Sequence, residues 1–406
     1  MQTGQRHNSF LYFFYLLLAA VFLILKMKRG FSGSEESGGV WNIIQLLYIA
    51  SGIVVLFSKK QSFKSFRCVR YYLGFFLYIW FLSLFPFLYS RMTVSQIFGF
   101  ATVPYGVMVL IVYYSVGRKA DIKQYWWVLS AAFYVITAIL FVAMRSFRVL
   151  SGEQGALADV YYVVTLLPLI LLYTPQRLKI IPFVLAFVVV AMTGKRGAFI
   201  AMGVIMVIYF LVPFTESRKK KTTSNLIVRL IIFAVVFGLI WFVINRVVGL
   251  FDLNIFDRLD KMEEDGGSGR MNRWTRILNL IGNKSSVIEL LFGHGGGSVM
   301  QTVGGHAHND FVEFFYDYGV FAVLLYVLFF VAIVREGIRM YKRKYPYARE
   351  FMCSVAVAFC MALYSFYAID CTHITGSSIC FGLILADWYK FKNKENEQFE
   401  QNRCNQ

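Results

Sequence analysis

The chain has 406 residues, of which 58% are hydrophobic, 18% aromatic and only 16% charged, with a mean hydropathy of +0.58. That balance excludes a soluble globular domain, which carries more charge and fewer aromatics. The formal charge of +18 does not imply nucleic acid, because the basic residues stand in short clusters between apolar runs rather than along one groove. Six cysteines show no CxxC pair and lie within or beside apolar runs, so no disulfide framework is implied.

Apolar runs of about 18–20 residues are long enough to cross about 30 Å of hydrocarbon as helices. The sequence predicts twelve such spans, near 9–25, 40–57, 69–88, 94–116, 125–144, 159–173, 179–194, 197–214, 226–245, 309–334, 351–369 and 375–390. Both termini then lie on one side. The first run is followed by Lys26, Lys28 and Arg29 rather than a cleavage site, and reads as a retained helix. Cations crowd alternate loops: Lys59, Lys60, Lys64, Arg67 and Arg70; Arg118, Lys119 and Lys123; Arg218 with Lys219 to Lys221; and Arg335 through Arg349. The positive-inside rule makes those loops cytoplasmic. The cationic 26–39 loop falls on the other side and breaks the rule.

Two segments interrupt the pattern. Ile180–Phe214 is apolar except for Thr193-Gly194-Lys195-Arg196-Gly197. One helix of that length overshoots a bilayer, so two helices meeting at an outer turn are expected. The two cations are either a snorkelling connector or an anion site at a helix N-terminus. The turn is not a Walker A loop, since Arg196 stands where Ser or Thr should follow the lysine.

The second is the segment 246–308, expected as an outer loop. Gly266-Gly267-Ser268-Gly269 marks a turn, and Asp260, Glu263, Glu264 and Asp265 form an acidic patch upstream. Arg270, Arg273, Trp274, Ile277, Leu278 and Ile281 recur at helical spacing. The helix either lies on the membrane or turns Arg270 or Arg273 inward to a phosphate, which suits the planar guanidinium fork.

Gly293–Val320 then holds a glycine-rich turn, three of the five histidines and a row of carboxylates. His306-x-His308-x-Asp310 has metal-ligand spacing, but His7, His294 and His373 form no second cluster. His308 is either a helix cap or a general base, because a helix N-terminus favours neutral imidazole. Asn309, Glu313 and Asp317 share one helix face, placed to bind sugar hydroxyls or to orient the histidine. His306, in the glycine-rich loop, is expected to matter far less. Tyr316, Tyr318, Trp274 and Phe311 can stack on sugars or anchor the interface.

These motifs, in this order, resemble the O-antigen polymerase (Wzy-type) and O-antigen ligase superfamily of membrane glycosyltransferases. The resemblance rests on Lys195-Arg196-Gly197, Gly269-Arg270 with Trp274, Gly293-His294-Gly295, and His308-Asn309 with Val312, Glu313 and Gly319. It covers about residues 180–335; Lys195 departs from the serine common in the family. It implies an all-α, GT-C-like single membrane domain over 1–406 in the bacterial cytoplasmic membrane, with the active site on the outer face. It also implies glycan transfer from undecaprenyl pyrophosphate to a sugar hydroxyl, without metal or other cofactor. His308, Arg196 and Arg270 would be catalytic. Lys195, Arg273, Asn309, Glu313, Tyr316 and His306 would bind substrate. The implied partners are the lipid-linked oligosaccharide, the bilayer, and a chain-length regulator and flippase of the same pathway. Polymerase and ligase share these motifs. A flippase would show internal repeats or mid-membrane charges, and none is evident. A peptidoglycan glycosyltransferase would depend on Asp257, Asp260 or Asp265 instead.

Overall fold

In the computed structural model, the described residues are 13–25, 38–57, 67–83, 105–117, 126–151, 160–193, 195–212, 223–250, 266–365, 368 and 371–404. Every regular element among them is helical. The acidic patch at 260–265, Asp257, Gly194 and the 26–37 part of the anomalous loop lie outside them.

A helix stands at each of the twelve expected positions. They are α1 (Phe13–Leu25), α2 (Gly38–Phe57), α3 (Arg67–Ser83), α4 (Tyr105–Gly117), α5 (Trp126–Ser151), α6 (Val160–Tyr173), α7 (Ile180–Thr193), α8 (Arg196–Leu211) and α9 (Thr223–Leu250). Three further helices follow: α10 (Gly266–Lys284), and the short α11 (Val287–Phe292) and α12 (Ser298–Val303). The chain then enters α13 (Asp310–Lys342), α14 (Ala348–Tyr364) and α15 (Cys371–Cys404). Among the described residues, only α13 is by itself long and apolar enough to cross a membrane.

Helix α6 is the axis of the bundle. Each residue from Val160 to Leu172 is buried, as expected of a helix that is apolar all round. It is packed by α5, α7, α8, α14 and α15. Outside this core, apolar side chains such as Ile43, Leu46, Val142, Phe242, Leu324 and Val331 face outward. That much exposed apolar surface fits lipid rather than water.

The long apolar segment breaks where expected: α7 ends at Thr193 and α8 starts at Arg196. Contacts also sort the loops into two ends. Lys179 pairs with Glu350 at 2.8 Å, joining the start of α7 to the start of α14. At the other end, Arg270 of α10 bonds the Tyr364 carbonyl at the end of α14. Gly197 of α8 also abuts Tyr364.

The glycine run at 266–269 opens α10, and Gly269 at φ 73° makes the expected turn there, with the helix that carries Arg270, Arg273 and Trp274 running on from it. One expectation changes. The span expected at 309–334 is two helices, because Gly319 sits at φ 77° and ψ −175° within α13. Asp310–Tyr318 is a short segment before the kink, and the 23 residues 320–342 run about 34 Å, enough to span alone.

Candidate active site

Helices α10, α11, α12 and the first segment of α13 share a small core of their own. Ile277, Ile281, Val299, Ala307 and Tyr316 fill it, with Trp274, Leu290 and Val312 against them. Thus α10 is no free amphipathic helix. Its Trp274, Ile277 and Ile281 are spent on this cap, while Met271 and Leu278 stay exposed, and Arg273 and Trp274 hold the loop before α13. Trp274 Nε1 donates to the Ala307 carbonyl at 2.6 Å. Arg273 Nη1 donates to the His306 carbonyl at 3.3 Å.

The kink explains two glycine motifs together. The first segment of α13 ends at Gly319, leaving the carbonyls of Tyr316 and Asp317 without partners further along a helix. The backbone N–H groups of His294 and Gly295 take them, each at 2.9 Å. The His294 ring stacks on Tyr316 with centroids 4.2 Å apart. Its Nδ1 reaches the Tyr316 carbonyl at 3.1 Å, which requires the proton on Nδ1. The approach is so close that a Cβ on Gly293 would overlap the Asp317 backbone, and one on Gly319 the Leu291 carbonyl. The Gly319 conformation is open essentially to glycine alone. Gly319→Ala should therefore destabilise the fold by about 3 kcal/mol or more. Thermal melting of the detergent-solubilised protein checks this; an unchanged midpoint would show that the kink is dispensable.

The carboxylate row has a structural answer. Asp310, Glu313 and Asp317 are all buried, on one face of the first segment. Each accepts backbone N–H groups from a different loop. Asp310 Oδ2 takes Ala368 N at 2.9 Å and the Tyr326 hydroxyl at 2.8 Å. Glu313 Oε2 takes Ala307 N at 2.9 Å. Asp317 takes Gly297 N at 2.8 Å and Val299 N at 3.0 Å, capping α12. Such bonds are worth about 0.5–1.5 kcal/mol each, and about 1.5–3 kcal/mol where the carboxylate is ionised. Asp310 is thereby engaged with Tyr326 and the Ala368 backbone. Among the described residues, no cluster of three or more His, Cys, Asp or Glu that could hold a metal occurs.

Against that frame stands His308. It is half-buried and adopts φ 54°, a left-handed conformation that costs a non-glycine residue about 1–3 kcal/mol and clusters at functional sites. The following Asn309 caps α13, its Oδ1 accepting Val312 N at 3.1 Å. Capping therefore belongs to Asn309, not His308. Burial pushes the His308 imidazole down to about 4, and the charges of Arg270, Lys195, Arg273 and His306 push the same way. The neutral form expected from the helix end is the form held here, but the causes are burial and a cation cluster.

The structure thus brings Lys195, Arg270, Arg273 and His306 around His308. Arg196 begins α8, half-buried, one residue from Lys195. The convergence has a steric origin. A Cβ on Gly197 would stand 2.5 Å from the Tyr161 hydroxyl and 3.5 Å from the Tyr364 carbonyl. Only glycine lets α8 approach that closely. Arg270 Nη1 donates to the same carbonyl at 2.7 Å. So the motif at 195–197 and the motif at 269–270 meet over the last turn of α14. Tyr364 was missed in the sequence, because it contributes a backbone carbonyl.

Other candidates are engaged within the protein. Tyr316 is buried against His294, Tyr318 is buried, and Trp274 serves the 306–308 loop. Glu313 is expected from the sequence to orient His308 or bind sugar hydroxyls; the histidine it pairs with is His306, whose Nδ1 is 2.5 Å from Oε1. That bond raises the His306 pKa, against burial and Arg273.

Residues 181–327 match a family model described as O-antigen ligase. No curated protein matches the chain. Proteins with this domain are glycosyltransferase-like and take lipid-linked oligosaccharides as substrates. The match spans α7, α8, the helical cap and the kinked start of α13, the elements that build the cation-lined histidine site. That match, in a chain whose described elements are all helical, supports the O-antigen ligase and polymerase superfamily for the domain at residues 181–327.

Proposed function

We propose that the chain is a polysaccharide polymerase. It transfers a glycan from undecaprenyl pyrophosphate to a sugar hydroxyl of another lipid-linked repeat unit, at the outer face of the bacterial cytoplasmic membrane. The observation that carries the transfer chemistry is a neutral, half-buried His308 in the field of Arg270, Lys195 and Arg273. An anionic leaving group needs fixed positive charge where negative charge develops. The three cations and Arg196 at the α8 N-terminus supply it without a metal. The acceptor hydroxyl needs a base beside that anion, and neutral imidazole is one. As the acceptor oxygen bonds to the anomeric carbon, its proton passes to His308. The carbon–oxygen bond to pyrophosphate breaks, and its electron pair leaves with the phosphate oxygen. The cationic loops 335–350 then face the cytoplasm. A flippase supplying the donor and a chain-length regulator are the expected partners.

A ligase, moving a finished glycan to lipid A core or another acceptor, uses the same residues. The description of the matching family favours it. Surface glycan from cells lacking the chain separates the two. Loss of a polymerase leaves acceptors capped by single repeat units; loss of a ligase strands long chains on the lipid carrier. An unchanged glycan ladder would remove both readings.

A further inference from the structure

We propose that His306 is a second acid–base group of the transfer, meeting the donor pyrophosphate as an imidazolium and giving it a proton as the glycan departs. This rests on the reading above and deepens it.

The geometry is that of a fastened but reachable imidazole. His306 Nδ1 is 2.5 Å from Glu313 Oε1, and the other carboxylate oxygen is held by Ala307 N at 2.9 Å. The Glu313 side chain is 2% exposed, whereas that of His306 keeps 39%. Arg273 holds the His306 carbonyl and lies against Gly305. One edge of the ring is thus anchored to a buried carboxylate, as in histidine–carboxylate pairs that orient a proton carrier.

The charged groups facing the pair come from each surrounding element. They are Glu313 from α13, Arg270 and Arg273 from α10, Lys195 before α8, and the two histidines themselves. Glu313 raises His306, while burial and the cations lower His308. Two histidines two residues apart are driven in opposite directions, the arrangement that separates an acid from a base.

The protons then balance. The acceptor hydroxyl gives its proton to His308 as its oxygen bonds to the anomeric carbon. The bond from that carbon to the pyrophosphate oxygen breaks, and that oxygen receives the electron pair and the proton of His306. The enzyme is left with His308 charged and His306 neutral. Moving one proton from His308 to His306 restores the start, and the opposed environments make that return downhill.

The test uses the full chain in nanodiscs, with inorganic pyrophosphate as the binding probe and polyprenyl-pyrophosphate-linked repeat units for turnover. His306 must be protonated, so the rate falls as pH rises through its raised pKa. His306→Gln should remove that basic limb, slow transfer about 10²-fold and weaken pyrophosphate binding. His306→Arg should recover pyrophosphate binding but not rate. Glu313→Gln should move the basic limb to lower pH. A His306→Gln enzyme with normal rate and an intact basic limb, while His308→Ala and Arg270→Lys are inactive, overturns this inference alone. Full recovery of rate by His306→Arg overturns the proton donation. Normal transfer by His308→Ala and Arg270→Lys instead removes the functional reading on which it rests.

Discussion

His308→Ala is expected to lower glycan transfer by about 10²–10⁴-fold, the usual loss of a general base, with expression and membrane insertion near normal. The fold should tolerate it, since Asn309 caps α13 and removal of the imidazole relieves no hydrogen bond of that cap. His308→Ser therefore has no capping role to rescue and should be as inactive as the alanine variant. The pH dependence is a second readout. Burial, and then Arg270, Lys195 and Arg273, push the imidazole of the free enzyme down to about 4. Transfer needs the neutral form, so kcat/KM should fall only as pH drops toward that value. Bound pyrophosphate cancels part of the cationic field, so the acidic limb of kcat should lie at higher pH than that of kcat/KM. Polymer formation from purified lipid-linked repeat units measures both. A His308→Ser enzyme working at the wild-type rate would sink the base assignment.

The apolar runs placed the helices because burial and lipid exposure both demand long apolar stretches, and that demand is written locally. Periodicity also found α10 and the shared face of the carboxylates. The break at Gly319 was not legible, because apolar residues continue on both sides and one left-handed residue leaves no periodic trace. The partners of the carboxylates were hidden for a related reason. Asp310, Glu313 and Asp317 are satisfied by backbone N–H groups, and every residue type except proline supplies one. His306 was undervalued on position, since a flexible glycine-rich loop gave no hint that Glu313 would fasten it. For the cations, the sequence order favoured Arg196 over Lys195. The fold puts Lys195 among the charges acting on His308, because the chain turns between α7 and α8 at that point.

Arg270→Lys should cost about 10²–10³-fold in transfer, comparable to losing one oxyanion donor, although the charge is kept. Arg270 has two tasks in the structure. Its Nη1 is committed to the Tyr364 carbonyl at 2.7 Å, which fixes α10 to the end of α14, and its charge bears on His308. A guanidinium fork presents five donors in one plane and can hold a carbonyl and a phosphate oxygen together; an ammonium is a point charge on a flexible stem. The lysine variant must leave one task undone. Arg196→Lys at the start of α8 should behave similarly if it meets the same phosphate. Arg273→Lys should be milder, since its bond to the His306 carbonyl is a single one at 3.3 Å. Binding of a polyprenyl-pyrophosphate-linked glycan and turnover by the purified variants separate the tasks. Weakened binding with an unchanged melting temperature assigns Arg270 to the phosphate, and a lowered melting temperature with binding retained assigns it to Tyr364. Unchanged affinity and turnover in both Arg270→Lys and Arg196→Lys would mean that the cation cluster binds no phosphate.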